Sequence, residues 1–317
     1  MLSKKTGLIL LLMAALGLIL TSLILPKTDN KVISAAYVPA GFYAPIVIAN
    51  ENGYFTDLGY ELELKRYNNN SLMINSFING SLDLTAQSSF TMFPVEEQNP
   101  GRFKFVYGQY ANSYFFIAPV DSGIKSLRDL KGKTIGAWQS PTAVAYVDLM
   151  LAKSGLTKED YSVERFAVSD VAANLTSGVV DAVFVFDFQA ASLQEKSGYV
   201  IIEANAQKEL LSNVGIKPFN GGAMISTKVL QSDPMKSEAI QLALSKAIEF
   251  IDENPIESRE IIASLLGVEI NDLSSVQLDY FTMPNSTLIK SAESTYLLLS
   301  DSGIVKGDRN IRTLFVE

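Results

Sequence analysis

The chain has 317 residues, 48% of them hydrophobic and 19% charged, with a net charge of −8 that becomes −10 once residues 1–26, which hold Lys4 and Lys5 and no acid, are set aside. Such a length and composition describe one large or two medium folded domains and exclude a disordered chain, and the acidic balance without a basic patch excludes nucleic acid as a partner class. There is no cysteine and no histidine, which removes disulfides, thiolate chemistry, the usual zinc ligands and the commonest general base.

Residues 7–25 contain only two polar side chains, Thr21 and Ser22, and follow Lys4 and Lys5. This is an export signal, a signal peptide or signal anchor over residues 1–30, and because nineteen apolar residues nearly span a bilayer the uncleaved anchor is the better reading. Ile33-Ser34-Ala35-Ala36 offers a weak cleavage site. The two lysines then sit in the cytoplasm and the rest of the chain lies outside it, in the periplasm or on the extracellular face, tethered by residues 7–25.

After the anchor, a strand is expected at 32–37, a helix at 43–50, a half-buried alternating strand at 60–65 and a helix at 71–77. The run Asn79-Gly80-Ser81-Leu82-Asp83-Leu84-Thr85-Ala86 follows. It reads as a helix stopped by a left-handed glycine, then an aspartate and a buried strand. Ser88 and Ser89 can cap the next helix, Glu96 and Glu97 read as its solvated end, and strands are expected at 103–107 and 114–120. A turn at 127–133 leads to a strand at 134–137, and Ser140 with Pro141 opens a helix ending at Lys153. A strand at 163–166 and a helix at 171–177 precede Ser177-Gly178-Val179-Val180-Asp181-Ala182-Val183-Phe184, which repeats the earlier helix-Gly-x-x-Asp-strand unit. Asp83 and Asp181 are expected to be structural, binding backbone N–H groups at the strand starts. Strands at 199–203 and 223–226 come next, then helices at 234–254, 255–266, 270–281 and 285–302. The alternation predicts mostly parallel sheets in two α/β lobes, with a ligand cleft between them. The expected boundaries are 31–117 with 223–317 for the first lobe and 118–222 for the second.

These residues resemble the periplasmic substrate-binding proteins of ABC importers for nitrate, sulfonates, taurine and thiamine-pyrimidine precursors. The likeness rests on Pro45-Ile46-Val47-Ile48-Ala49-Asn50-Glu51-Asn52-Gly53-Tyr54-Phe55, on Gly80 to Asp83, on Asp129-Leu130-Lys131-Gly132-Lys133, on Ser177-Gly178-Val179-Val180-Asp181-Ala182 and on Asn254-Pro255. The resemblance implies a type II periplasmic-binding-protein fold, here preceded by an N-terminal hydrophobic helix. It also implies a monomeric, non-catalytic receptor that captures a small organic molecule and delivers it to ABC permease subunits in the membrane. The alternative output is a ligand sensor that signals to a kinase or another membrane partner. Asp187-Phe188 and Ser140-Pro141 depart from the family's loops, so ligand specificity is expected to differ.

Ligands of open α/β sheets sit beyond the carboxyl ends of the strands. That rule selects Gly41, Phe42, Ser88, Ser89 and Asn112 from the first lobe, and Trp138, Gln139, Ser140, Thr142 and Asp187 from the second. The serines serve equally as helix caps, and Trp138 as core or as cleft wall. Asp187 would take a donor or cationic group. With no arginine or lysine in this set, a neutral, zwitterionic or weakly polar solute is expected. No cofactor, metal site or catalytic residue is expected.

Overall fold

A computed structural model describes residues 31–38, 40–67, 69–110, 114–196, 198–203, 219–273 and 280–317. The expected hydrophobic helix over residues 7–25 lies outside them. Among the described residues no helix is long and apolar enough to cross a membrane.

The first half of the chain builds strand-helix units. Strand β1 (Lys31–Tyr37), helix α1 (Ala44–Glu51), β2 (Tyr60–Arg66), α2 (Asn70–Ile78), β3 (Leu84–Ser88) and α3 (Ser89–Gln98) follow one another. Asn69 caps α2 by accepting from the Leu72 N–H at 3.0 Å, and Ser88 caps α3 by accepting from the Phe90 N–H at 3.3 Å. Each cap satisfies a helix-end donor that has no intrahelical partner. The expected strand at 103–107 is shorter, β4 (Phe103–Phe105), and a further strand that was not expected, β5 (Gly108–Tyr110), follows it.

The chain then enters a second sheet of β6 (Tyr114–Pro119), β7 (Thr134–Trp138), β8 (Ser162–Phe166), β9 (Ala182–Phe186) and β10 (Tyr199–Glu203), in the order β10-β6-β9-β7-β8. Helices α4 (Pro141–Lys153), α5 (Val168–Thr176) and α6 (Asp187–Glu195) connect these strands. Strand β11 (Phe219–Ser226), buried along its whole length, returns to the first sheet. There it pairs antiparallel with β3, with Ala223 opposite Ala86. The expected boundaries at 117/118 and 222/223 therefore cut through β6 and β11, which belong whole to the second and the first sheet. The sheets are mixed rather than mostly parallel, because β11 runs against β3 and β6 against β9.

Helices α7 (Thr227–Ser232), α8 (Pro234–Glu253), α9 (Pro255–Leu266) and α10 (Ser286–Asp301) complete the first lobe. Helix α8 buries Ile240, Ala243, Leu244, Ala247 and Ile251, a stripe at helical spacing, against α1. A large aliphatic side chain buried this way contributes about 1.5–3 kcal/mol relative to exposure. The helix expected at 270–281 is instead a 3-10 turn at Ile270–Leu273 and an edge strand, β12 (Tyr280–Thr282), paired with β5 through Phe281 and Gln109. Glu96 and Glu97 do not form a solvated helix end. Glu96 is buried and accepts from the Gly101 N–H at 2.8 Å, while Glu97 accepts from the Tyr296 hydroxyl and the Lys306 N–H, each at 2.7 Å. Glu97 thereby ties α10 and the chain beyond it to the end of α3.

Candidate functional site

The repeated unit sets where the strand ends point. Gly80 and Gly178 adopt φ of 75° and 72°, a left-handed cap that costs an L side chain energy. Three residues on, each aspartate grips the neighbouring parallel strand. Asp83 Oδ2 accepts from the Ser34 N–H of β1 at 3.0 Å, and Asp181 Oδ2 accepts from the Thr134 N–H of β7 at 2.8 Å. Their own N–H groups donate back to the Ser34 and Thr134 carbonyls at 2.7 and 2.9 Å. A lysine completes each pair, Lys236 at 3.2 Å and Lys133 at 3.4 Å. Both aspartates are structural, and the strands they start, β3 and β9, run to one cleft.

That cleft has a volume of about 830 Å³ and is lined from both lobes. The first-lobe wall is polar. Gln87, at the end of β3, donates through Nε2 to Asn70 Oδ1 at 2.6 Å and to the Tyr43 hydroxyl at 3.2 Å, and Asn70 Nδ2 donates back to Gln87 Oε1 at 3.4 Å. Burial pushes the pKa of Tyr43 far above its ordinary value, so it stays a neutral hydroxyl behind the amides. Ser88, Thr91, Tyr67 and Phe42 extend this wall. The Phe42 carbonyl is fixed by the Tyr107 hydroxyl at 2.7 Å.

The second-lobe wall is aromatic. Trp138 stacks on Phe186 with ring centroids 4.5 Å apart and planes 27° from parallel, and Phe186 stacks on Phe188 at 5.8 Å and 12°. Stacked rings add to their area burial. Gln189 holds this wall: its Oε1 accepts from the Phe186 N–H at 3.3 Å and its Nε2 donates to the Val168 carbonyl at 2.7 Å, joining the starts of α5 and α6. A third side comes from Leu266, Gly267 and Val268 at the end of α9. Close to the cleft the two chain passages meet, where the Tyr114 hydroxyl donates to Asn220 Oδ1 at 3.3 Å and Asn220 Nδ2 donates to Gln109 Oε1 at 3.1 Å. Phe90 of α3 stacks on Tyr146 of α4 at 3.8 Å, a direct contact between lobes.

Of the residues selected from sequence, Phe42, Ser88, Trp138, Gln139 and Ser140 line the cleft. Ser89 is turned away, its buried hydroxyl donating to the Phe219 and Asn220 carbonyls at 2.8 and 3.1 Å, because it follows the cap residue into the helix. Gly41 opens the 3-10 turn Gly41–Tyr43 beside the lining residues Ala40 and Phe42. Thr142 lies in the first turn of α4, and Asp187 is the first residue of α6. Asn112 lies outside the described residues. Sequence reasoning missed Gln87, Asn70, Gln189, Arg66 and Lys196. Arg66 is the last residue of β2 and Gln87 the last but one of β3, so the strand-end rule would have found both had the strands been drawn to their full length. The expectation of a cleft without cations fails, since Arg66 and Lys196 both line it.

A family model described as NMT1/THI5 like matches residues 42–258. A protein of Brucella abortus (strain 2308) described as a binding protein is 24% identical over 266 residues, 83% of this chain and 80% of that protein. The structure is similar to the periplasmic aliphatic sulphonate binding protein SsuA from Escherichia coli, with a TM-score of 0.70 at 14% identity over 90% of this chain and 98% of that one. It is also similar to the desulfurization enzyme DSZB, with a TM-score of 0.69 at 15% identity over 90% of this chain and 96% of that one. The fold is thus shared by binding proteins and by an enzyme.

Proposed function

The chain belongs to the NMT1/THI5-like family, and from that membership we propose that it is an extracytoplasmic, non-catalytic receptor that captures a small organic molecule and delivers it to an ABC import permease. The observation that carries this reading is the cleft itself, whose two walls come from different lobes and from the carboxyl ends of β3, β7 and β9. A solute that touches both walls only when they are close stabilises the closed arrangement by that difference in affinity. In this reading the first lobe is 31–110 with 219–317, the second is 114–203, and the Tyr114, Asn220 and Gln109 chain sits at the hinge. Residues 7–25 tether a monomeric receptor beside its permease in this reading.

A thermal-shift screen of the full-length protein against amino acids, sulfonates, pyrimidines, polyamines and aromatic acids tests the reading. A ligand at a hundred times its dissociation constant adds about 2.7 kcal/mol of stability, which moves the melting midpoint by several degrees. At least one class is expected to give that shift without being consumed. Turnover of the bound compound would replace the receptor with an enzyme, and a folded protein that none of the classes shifts would remove the solute-binding reading.

A further inference from the structure

An amide side chain can stand in either of two senses, and on the first-lobe wall the groups behind Gln87 decide between them. Gln87 lines the cleft, whereas Tyr43, Met73 and Thr85 are buried behind it and do not. The Tyr43 hydroxyl donates to Met73 Sδ at 3.6 Å, and a thioether sulfur can only accept. Thr85, hydrogen-bonded to Tyr43 as well, spends its own proton on the Ala36 carbonyl at 3.0 Å. Burial keeps the phenol protonated, and the Val38 backbone N–H donates to its oxygen. Its one proton is thus held inward, and its oxygen meets Gln87 as an acceptor. Gln87 answers with Nε2, at 3.2 Å. The second Nε2 proton goes to Asn70 Oδ1 at 2.6 Å, and Asn70 Nδ2 returns a bond to Oε1 at 3.4 Å. Two amides paired this way use the proton on the Oε1 side of the nitrogen, which leaves the opposite one for Tyr43. With both N–H groups committed, Gln87 can give a solute only a lone pair on Oε1.

We propose that Tyr43 is a positioning residue for solute recognition: backed by Met73 and Thr85, it holds Gln87 in one sense, so that Gln87 meets the solute as an acceptor and the solute carries an N–H or O–H donor there. This rests on the receptor reading above and narrows the solutes it would take. Turning Gln87 over would set Oε1 against the oxygens of Tyr43 and Asn70, acceptor against acceptor, and leave buried hydrogen bonds unmade.

Hydrogen exchange of the Gln87 side-chain amide reads this orientation without any solute. It is followed by NMR on the isotope-labelled full-length protein and assigned by its loss in Gln87→Leu. Both protons are expected to exchange roughly tenfold more slowly than those of the exposed Gln98. Tyr43→Phe is expected to free only the proton opposite Oε1, and Asn70→Ala only the other, each by roughly tenfold. The second variant changes a half-buried residue at the start of α2, so the orientation stays readable if Tyr43→Phe does not fold. Release of both protons together in either variant, or of neither, would overturn the fixed sense, because general loosening does not choose between two protons on one nitrogen.

The five solute classes of the thermal-shift screen read the consequence for binding. Amino acids, pyrimidines and polyamines carry N–H donors; binders are expected among them, and are expected to bind Tyr43→Phe roughly fivefold more weakly. Donor-free sulfonates or aromatic carboxylates that bind as tightly as these, or affinities unchanged in Tyr43→Phe, would overturn the role in recognition while leaving a working receptor. A screen in which nothing binds removes the receptor reading and this role together.

Discussion

The two lobes carry the same joint and present different chemistry from it. In each, a left-handed glycine is followed three residues later by an aspartate that grips the adjacent parallel strand and pairs with a lysine. The strand beyond then runs to the cleft, β3 delivering Gln87 and Ser88 and β9 delivering Phe186. The joint fixes where the chain points and the last residues of the strand decide what it offers. The joints also differ in depth, with side-chain exposures of 17% and 19% for Asp83 and Lys236 against 40% and 38% for Asp181 and Lys133. Depth sets how much each joint contributes, since a pair withdrawn from water leaves a far costlier orphan when one partner is lost.

That comparison can be broken at four points. Trp138→Ala, which empties a ring position stacked on both Phe184 and Phe186, is expected to lower stability by about 3–5 kcal/mol in urea titration. A loss under about 1 kcal/mol would mean that the aromatic wall does not act as a packed unit. Next comes the deep joint. Asp83→Ala strands the Lys236 ammonium and the Ser34 N–H and is expected to cost about 3 kcal/mol. The shallow joint should cost less, about 1 kcal/mol for Asp181→Ala, because solvent reaches both partners. Equal costs would show that depth does not distinguish the lobes.

The smallest effect concerns Glu96. Burial raises its pKa, opposed by the Gly101 N–H and then by Arg309. A carboxyl whose folded value is raised favours folding below the unfolded pKa of about 4.3, and that contribution is lost as pH rises through the folded value. Glu96→Gln cannot ionise, so its stability relative to the unmodified protein should rise with pH over that window. A flat difference would show that Glu96 is not held in its protonated form's favour.

The joints were legible in sequence because all their signals are local: a glycine, an aspartate three residues later and an apolar run. The strand β12 was not, since Tyr280 to Thr282 are strand only through pairing with β5, which lies about 170 residues earlier and leaves no periodic trace. The site was legible in proportion to strand length. Trp138, Gln139 and Ser140 follow a strand drawn nearly to its end, whereas Gln87 was lost when β3 was taken to end at Ala86. Lys196 lies just past the far end of α6, where no strand-end rule looks. Arg66 was lost in the same way as Gln87, because the expected strand at 60–65 stops one residue short of the end of β2.

For a solute bound between these two walls the protein carries its own probe. Trp138 is the only tryptophan in the chain and it lines the cleft. Titrating the full-length protein with each compound that raises its melting temperature, while following tryptophan emission, tests the claim directly. A saturable emission change is expected, with a midpoint that matches the thermal affinity and moves to higher concentration in Gln87→Leu. A compound that stabilises the fold yet leaves Trp138 emission and the Gln87→Leu affinity unchanged would place the binding site outside this cleft.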